Sequence, residues 1–167
     1  MPLDVCMRVG GGDFVLDHLP SRSRRITRDE ALQILEAEHG RGHVHTAYFK
    51  DAVGGRFYAI CNCCPCCCGG IEAMMKHGIP MVASSGYVAQ VDPELCIACG
   101  ECVNACPFEA VHLEDERAVV KWADCMGCGV CVAHCPQEAI SLLRDPSKGE
   151  PLEIRKLISE AAATGLT

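Results

Sequence analysis

Apolar residues in this chain come in short runs, broken by glycine, proline and acidic side chains. None approaches the roughly 18 consecutive apolar residues of a membrane span. Residues 1–26 show no sustained period and are expected to be irregular, broken early at Gly10-Gly11-Gly12. Thr27-Arg28-Asp29-Glu30 has the form of a capping box. A helix is expected over 28–39, with Ala31, Ile34 and Leu35 on one face and its end at Gly40. Tyr48-Phe49 and Phe57 to Ile60 read as short strands around a Gly54-Gly55 turn. Gly69-Gly70 opens a short helix from Ile71 to His77, stopped by Gly78 and Pro80. Val88 to Val91 reads as a strand, and Val111 to Leu113 with Ala118 to Val120 as a hairpin turning at Glu114 to Arg117. Pro151 suits the start of a last amphipathic helix whose apolar stripe is Ile154, Leu157, Ile158 and Ala161.

Beneath this pattern lies a repeat. Residues 96–113 read CIACGECVNACPFEAVHL and residues 125–142 read CMGCGVCVAHCPQEAISL, identical at ten of eighteen positions. All four cysteines, the glycine after the second and the proline after the fourth recur. A duplicated unit predicts two copies about an approximate two-fold axis, each carrying one site.

The chain has 15 cysteines in 167 residues, an odd number, and they need a chemical explanation. A disulfide framework belongs to secreted domains, and closely spaced thiols in a reducing compartment belong to metal sites. No basic stretch leading into an apolar one is visible over residues 1–20, and Arg24-Arg25 runs into the charged Arg28-Asp29-Glu30 rather than an apolar segment. The expectation is a cytoplasmic metalloprotein.

Each repeat has the spacing C-x2-C-x2-C-x3-C-P, which resembles the runs of the clostridial-type dicluster ferredoxins over about 56 of the 167 residues. Three thiolates at such intervals wrap a loop around one face of an iron–sulfur cube, with the loop N–H groups aimed at its sulfurs. The fourth cysteine, already in a short helix, faces the neighbouring cube. The resemblance assigns Cys96, Cys99, Cys102 and Cys135 to one [4Fe–4S] cluster, and Cys125, Cys128, Cys131 and Cys106 to the other. Gly100 and Gly129 permit close backbone approach, and Pro107 and Pro136 redirect the chain. Ile97, Val103, Phe108, Val111, Met126, Val132 and Ile140 are the expected apolar cover. C-x2-C pairs also bind zinc, but the third cysteine at x2 and the x3-C-P ending, both present twice, favour iron–sulfur clusters.

The implied fold is α+β. A ferredoxin-like dicluster domain of two short hairpins and two short helices, residues 88–145, follows a small α/β cysteine-rich module, residues 1–87. A C-terminal amphipathic helix occupies 146–167.

Within that module stand Cys61, Cys63, Cys64, Cys66, Cys67 and Cys68, six thiols in eight residues. They are candidates for a third metal centre: an iron–sulfur cluster, a zinc or copper thiolate site, or a dithiol/disulfide relay. Adjacent cysteines splay apart, so about four of the six are expected at any one centre, with Cys61, Cys64 and either Cys67 or Cys68 among them. The helix beginning near Gly70 directs the positive end of its dipole toward them, which favours thiolates. Cys67-Cys68-Gly69 is similar to the CCG element of heterodisulfide-reductase-type proteins. The region from the 28–39 helix through CNCCPCCC into the repeats resembles a module of 4Fe–4S dicluster proteins of anaerobic bacteria. That resemblance carries an architecture and no activity. His43 and His45 read as loop histidines more suited to packing than to ligation, Cys6 as a structural or incidental thiol rather than a ligand, Met74-Met75 as core, and Trp122 as packed on the hairpin. His112 and His134 are placed where they would couple proton uptake to cluster reduction.

Charge sharpens the functional expectation. The net charge is −7, and residues 88–145 carry the whole surplus, with ten acidic side chains against Arg117, Lys121 and Arg144. Two bound oxidised clusters with their thiolates deepen the total to about −11. Such a field favours a redox partner with a basic docking face and disfavours nucleic acid and anionic membranes. There is no G-x-G-x-x-G after a strand, no phosphate loop and no nucleophile–base arrangement. The expected function is therefore single, low-potential electron transfer to or from a partner oxidoreductase, rather than enzymatic turnover. The alternatives are an iron–sulfur enzyme or a redox or metal sensor whose active centre is Cys61–Cys68.

Overall fold

In the computed structural model, the residues described are 6–10, 13–50, 56–153, 155, 156, 159 and 163. They form two compact units. One comprises Met1–Glu38, His45–Asn62 and Glu153–Thr167, and the other His39–Val44 and Cys63–Leu152.

The first unit is built on a three-stranded sheet ordered β1(Cys6–Arg8), β3(Arg56–Cys63), β2(Val44–Lys50). β1 pairs antiparallel with β3, placing Cys6 opposite Cys61 and Met7 opposite Ile60. The expectation of irregular structure over residues 1–26 fails twice, at β1 and at α1(Asp13–His18). A three-residue strand exists only because a distant partner satisfies its backbone, and no local pattern announces that. The capping box is present. Thr27 N–H donates to Glu30 Oε2 at 2.8 Å, and Glu30 N–H donates to Thr27 Oγ1 at 3.2 Å. It starts α2(Arg28–Gly40), which ends at the expected glycine. The Gly54-Gly55 turn and the stripe Ile154, Leu157, Ile158 and Ala161 lie outside the described residues.

In the second unit, α3(Gly69–His77) ends as expected at Gly78, whose φ of 63° lets its N–H and that of Ile79 cap the carbonyls of Met74 and Ala73. Beyond it the repeats fold as related halves. β4(Tyr87–Val91) pairs antiparallel with β7(Ile140–Arg144), and β5(Val111–Glu114) with β6(Arg117–Val120). The short helices α4(Glu101–Ala105) and α5(Val130–Ala133) complete the halves. Adding 29 to Val91 and subtracting 29 from its partner Ile140 gives Val120 and Val111, which are also partners. The same shift relates Asp92 N–H→Ala139 O to Lys121 N–H→Ala110 O, both 2.7 Å.

One part of the fold expectation needs correction. Within residues 88–145 only β5–β6 is a hairpin, because the other sheet there joins the first and last strands of the region. The two-fold swaps strand partners between repeats, so each sheet takes one strand from the sequence around each repeat. Trp122 also differs from expectation. It is 50 % exposed, donates from Nε1 to Asp145 Oδ2 at 2.6 Å, and lies under Lys148 Nζ at 4.2 Å from the ring centre. Among the described residues, no helix is long and apolar enough to cross a membrane.

Candidate metal centres

Two clefts occupy the core of the repeat region. The first is lined by Cys96, Cys99, Cys102 and Cys135 together with Ala98, Gly100, Ala118, Ala139 and Ile140. The second is lined by Cys106, Cys125, Cys128 and Cys131 with Ala89, Ala110, Val111, Gly129 and Leu142. Each therefore brings together three cysteines of one run and the fourth cysteine of the other. With the parts open to solvent counted, they enclose about 320 and 300 Å³.

Local geometry explains how the cysteines converge. Gly100 and Gly129, with φ of 80° and 79°, turn each loop into its short helix, so the third cysteine of each run, Cys102 or Cys131, points inward and is buried. The chain then leaves each helix so that Cys106 and Cys135 reach the opposite cleft. Leu113 and Leu142, equivalent under the 29-residue shift, pack over these two glycines.

Backbone donors surround the sulfurs in the same symmetric way. Ala110 N–H donates to Cys106 Sγ at 3.3 Å and Ala139 N–H to Cys135 Sγ at 3.2 Å. Ala118 N–H donates to Cys96 Sγ at 3.4 Å and Ala89 N–H to Cys125 Sγ at 3.5 Å. All four donors are buried alanines. Larger side chains at these positions would reach into the clefts, so their smallness keeps the space open.

The electrostatics ask for a positively charged occupant. Burial pushes the Cys131 thiol up to about 12, reinforced by the neighbouring Cys128, Cys106 and Cys125. Burial likewise pushes Cys128 up to about 11, and it raises Cys102. Four thiolates in such a cleft are costly unless metal ions compensate them, and a cubane iron–sulfur core does so. Cysteine sulfurs, inward N–H donors and small walls together fit a [4Fe–4S] group in each cleft.

Some expected cover differs in place. Phe108, Val111 and Ile140 are buried, whereas Ile97 is 62 % exposed although it edges the first cleft. His112 and His134 line neither cleft. His112 Nε2 pairs with Glu114 Oε1 at 2.8 Å, and His134 Nδ1 lies 3.0 Å from the Val130 carbonyl oxygen.

The six-thiol segment divides. Cys61 ends near Cys6, Sγ to Sγ 3.5 Å, so the thiol read as structural or incidental faces one of the six across paired strands. Only a cross-strand register reveals that partnership. Cys63 is buried, and Cys68 stands at the N-cap position of α3 without a side-chain capping bond. Cys64, Cys66 and Cys67 come together, their sulfurs all within 4.8 Å of one another, with Cys64 and Cys66 joined as a disulfide. Cys66, absent from the favoured subset, is thus part of the grouping. His45 Nδ1 lies 2.7 Å from Asn62 Oδ1, and that asparagine is 2 % exposed, in keeping with a packing role.

Comparison with known proteins agrees with this geometry. The family model of the 4Fe-4S dicluster domain matches residues 89–142. Ferredoxin-2 of Desulfomicrobium norvegicum (strain DSM 1741 / NCIMB 8310) is 50% identical over 34 residues, which are 20% of this chain and 58% of that ferredoxin. The chain thus spans a little under three-fifths of the length of the curated relative it matches. In its residues 89–142, this iron–sulfur protein carries a 4Fe-4S dicluster domain of the ferredoxin kind.

Proposed function

We propose that the chain is an electron-transfer protein in which Cys96, Cys99, Cys102 and Cys135 hold one [4Fe–4S] cluster, and Cys125, Cys128, Cys131 and Cys106 the other. The observation that carries this reading is the crossed lining of the two clefts, three cysteines from one run and one from its twin. Bound clusters supply one-electron redox chemistry. The chain's own residues do the rest. Buried alanines donate N–H groups to the sulfurs and so offset negative charge on the ligands. Phe108, Val111 and Ile140 keep water from the clefts.

The first loop is the natural face for a partner. Cys99 and Ile97 are exposed there, Leu95 is 49 % exposed, and Asp92, Glu94 and Glu101, within a few residues along the chain, are exposed as well. Exposed apolar and acidic side chains on one segment suit a redox partner with a basic docking face around an apolar centre. The partner would be an oxidoreductase exchanging single low-potential electrons.

The test is iron and acid-labile sulfide analysis of protein purified without oxygen, with electron paramagnetic resonance after dithionite. About eight irons per chain and signals from two interacting reduced clusters are expected. A colourless protein, magnetically silent after reduction, overturns the reading.

A further inference from the structure

The strand β3 ends at Cys63, and the chain reaches α3 through a turn closed by Cys68 N–H→Cys64 O at 3.1 Å. That turn gathers three sulfurs. Cys67 Sγ lies 3.2 Å from Cys64 Sγ and 3.3 Å from Cys66 Sγ. We infer that Cys64, Cys66 and Cys67 form a thiolate seat for one soft metal ion, zinc(II) or copper(I), separate from the two clusters.

Spacing separates a single ion from a cluster. A metal–thiolate bond of about 2.3 Å places tetrahedrally arranged sulfurs about 3.8 Å apart. Thiolates on different irons of a cubane are held wider, because each sits on its own corner. The chain contains its own control. Among the described residues, the three sulfurs at 64, 66 and 67 form a group within 4.8 Å, and no three of the eight cysteines lining the clefts do. With Cys64 bonded to Cys66 and Cys67 within 3.3 Å of both, the trio is closer than a bound ion requires. Opening the disulfide lets the three sulfurs relax outward onto one ion, whereas the corners of a third cubane lie far wider.

Surroundings agree. Cys64 is buried and anchors the trio, while Cys66 and Cys67 are exposed and leave a fourth position open to solvent or an exchanging ligand. The nine-residue helix α3 begins at Gly69 with no side chain capping its first turn, so the positive end of its dipole lies beside an anionic centre. Soft thiolates select zinc(II) or copper(I) over magnesium or calcium.

Loading from the disulfide form is a balanced sequence. A dithiol reductant delivers two electrons and two protons to the Cys64–Cys66 bond and is itself oxidised to a disulfide. Three thiols then bind the ion and release three protons.

The experiment uses the full chain, purified without oxygen, treated with a dithiol and offered zinc(II) or copper(I) separately. Elemental analysis should find about one equivalent of the bound metal in addition to cluster iron. The absorption edge identifies which metal is held, and the fine structure should show sulfur neighbours at about 2.3 Å. The triple variant Cys64→Ser, Cys66→Ser, Cys67→Ser should lose that equivalent and keep its iron. Should it fail to fold, Cys67→Ser alone should lower affinity at least about tenfold, while Cys68→Ser does not. The inference is overturned by about four irons more than the two clusters need, lost from the variant. It is equally overturned by three thiols that take no metal and return to a disulfide. In either event the cluster signals assigned to Cys96–Cys135 persist, so the electron-transfer reading stands or falls separately.

Discussion

Cys96 accepts at its sulfur a 3.4 Å hydrogen bond from the backbone N–H of Ala118, a residue in the hairpin strand 22 positions further along the chain. The counterpart is Ala89 N–H to Cys125, with both residues 29 positions earlier or later. A sequence repeat has become a repeated electrostatic environment. N–H donors to ligand sulfurs favour the more negative, reduced state. Replacing Ala118 by proline removes this donor and should make one cluster harder to reduce, with a more negative midpoint in a redox titration. Ala118→Gly keeps the N–H and should leave the midpoint in place.

The crossed arrangement predicts which cysteines act together. Cys99 and Cys135 line one cleft although they belong to different runs. The double variant Cys99→Ser, Cys135→Ser should therefore damage one cluster and leave about four irons per chain. Cys99→Ser with Cys131→Ser should damage both. Iron counts and reduced-state spectra of the two double variants distinguish crossed from uncrossed ligation.

Among the loop positions at which the halves differ are Ala98 in the first and Gly127 in the second, both left-handed with φ of 55° and 64°. At Gly127 a Cβ would collide with the Tyr87 carbonyl oxygen and Ser85 Oγ, because the 85–87 segment is strapped there by Ser85 Oγ→Gly127 O at 2.8 Å. Gly127→Ala should destabilise the protein by about 1–3 kcal/mol. Ala98→Gly should stay within about 1 kcal/mol of the parent. Thermal unfolding of the holoprotein measures both.

Trp122, the single tryptophan, gives a local pH reading. Hydrogen bonds from Ser147 and then from the Trp122 indole hold the Asp145 carboxyl below its usual value of 3.8. The folded form thus favours the carboxylate. Its contribution is complete above 3.8 and disappears as pH falls below that value. The indole N–H resonance should stay constant from pH 7 down to about 5. Asp145→Ala should shift it at neutral pH without changing the iron content.

Several features were legible in the residues because their causes are local. The Thr27–Glu30 box, the Gly78 cap and the Val111–Val120 hairpin depend on neighbours within a few positions. The two cysteine runs were legible for a different reason. The run C-x2-C-x2-C-x3-C-P constrains a loop strongly, and its doubling implies symmetry. Less legible were β1, the partnership of Cys6 with Cys61, and the β4–β7 sheet, each of which needs a partner 49 or more residues away.

By itself, then, the order of residues determined the two cysteine runs, their likeness to dicluster ferredoxins and the acidic surplus around them. Spacing and charge are properties of the chain before it folds. Only the tertiary structure decided that β4 closes on β7, that Ile97 faces outward, and that Cys64 and Cys67 are joined by Cys66 rather than Cys61. Those outcomes depend on which distant backbone groups pair and which side of a turn each sulfur occupies, and in CNCCPCCC six chemically identical thiols give no local preference among themselves.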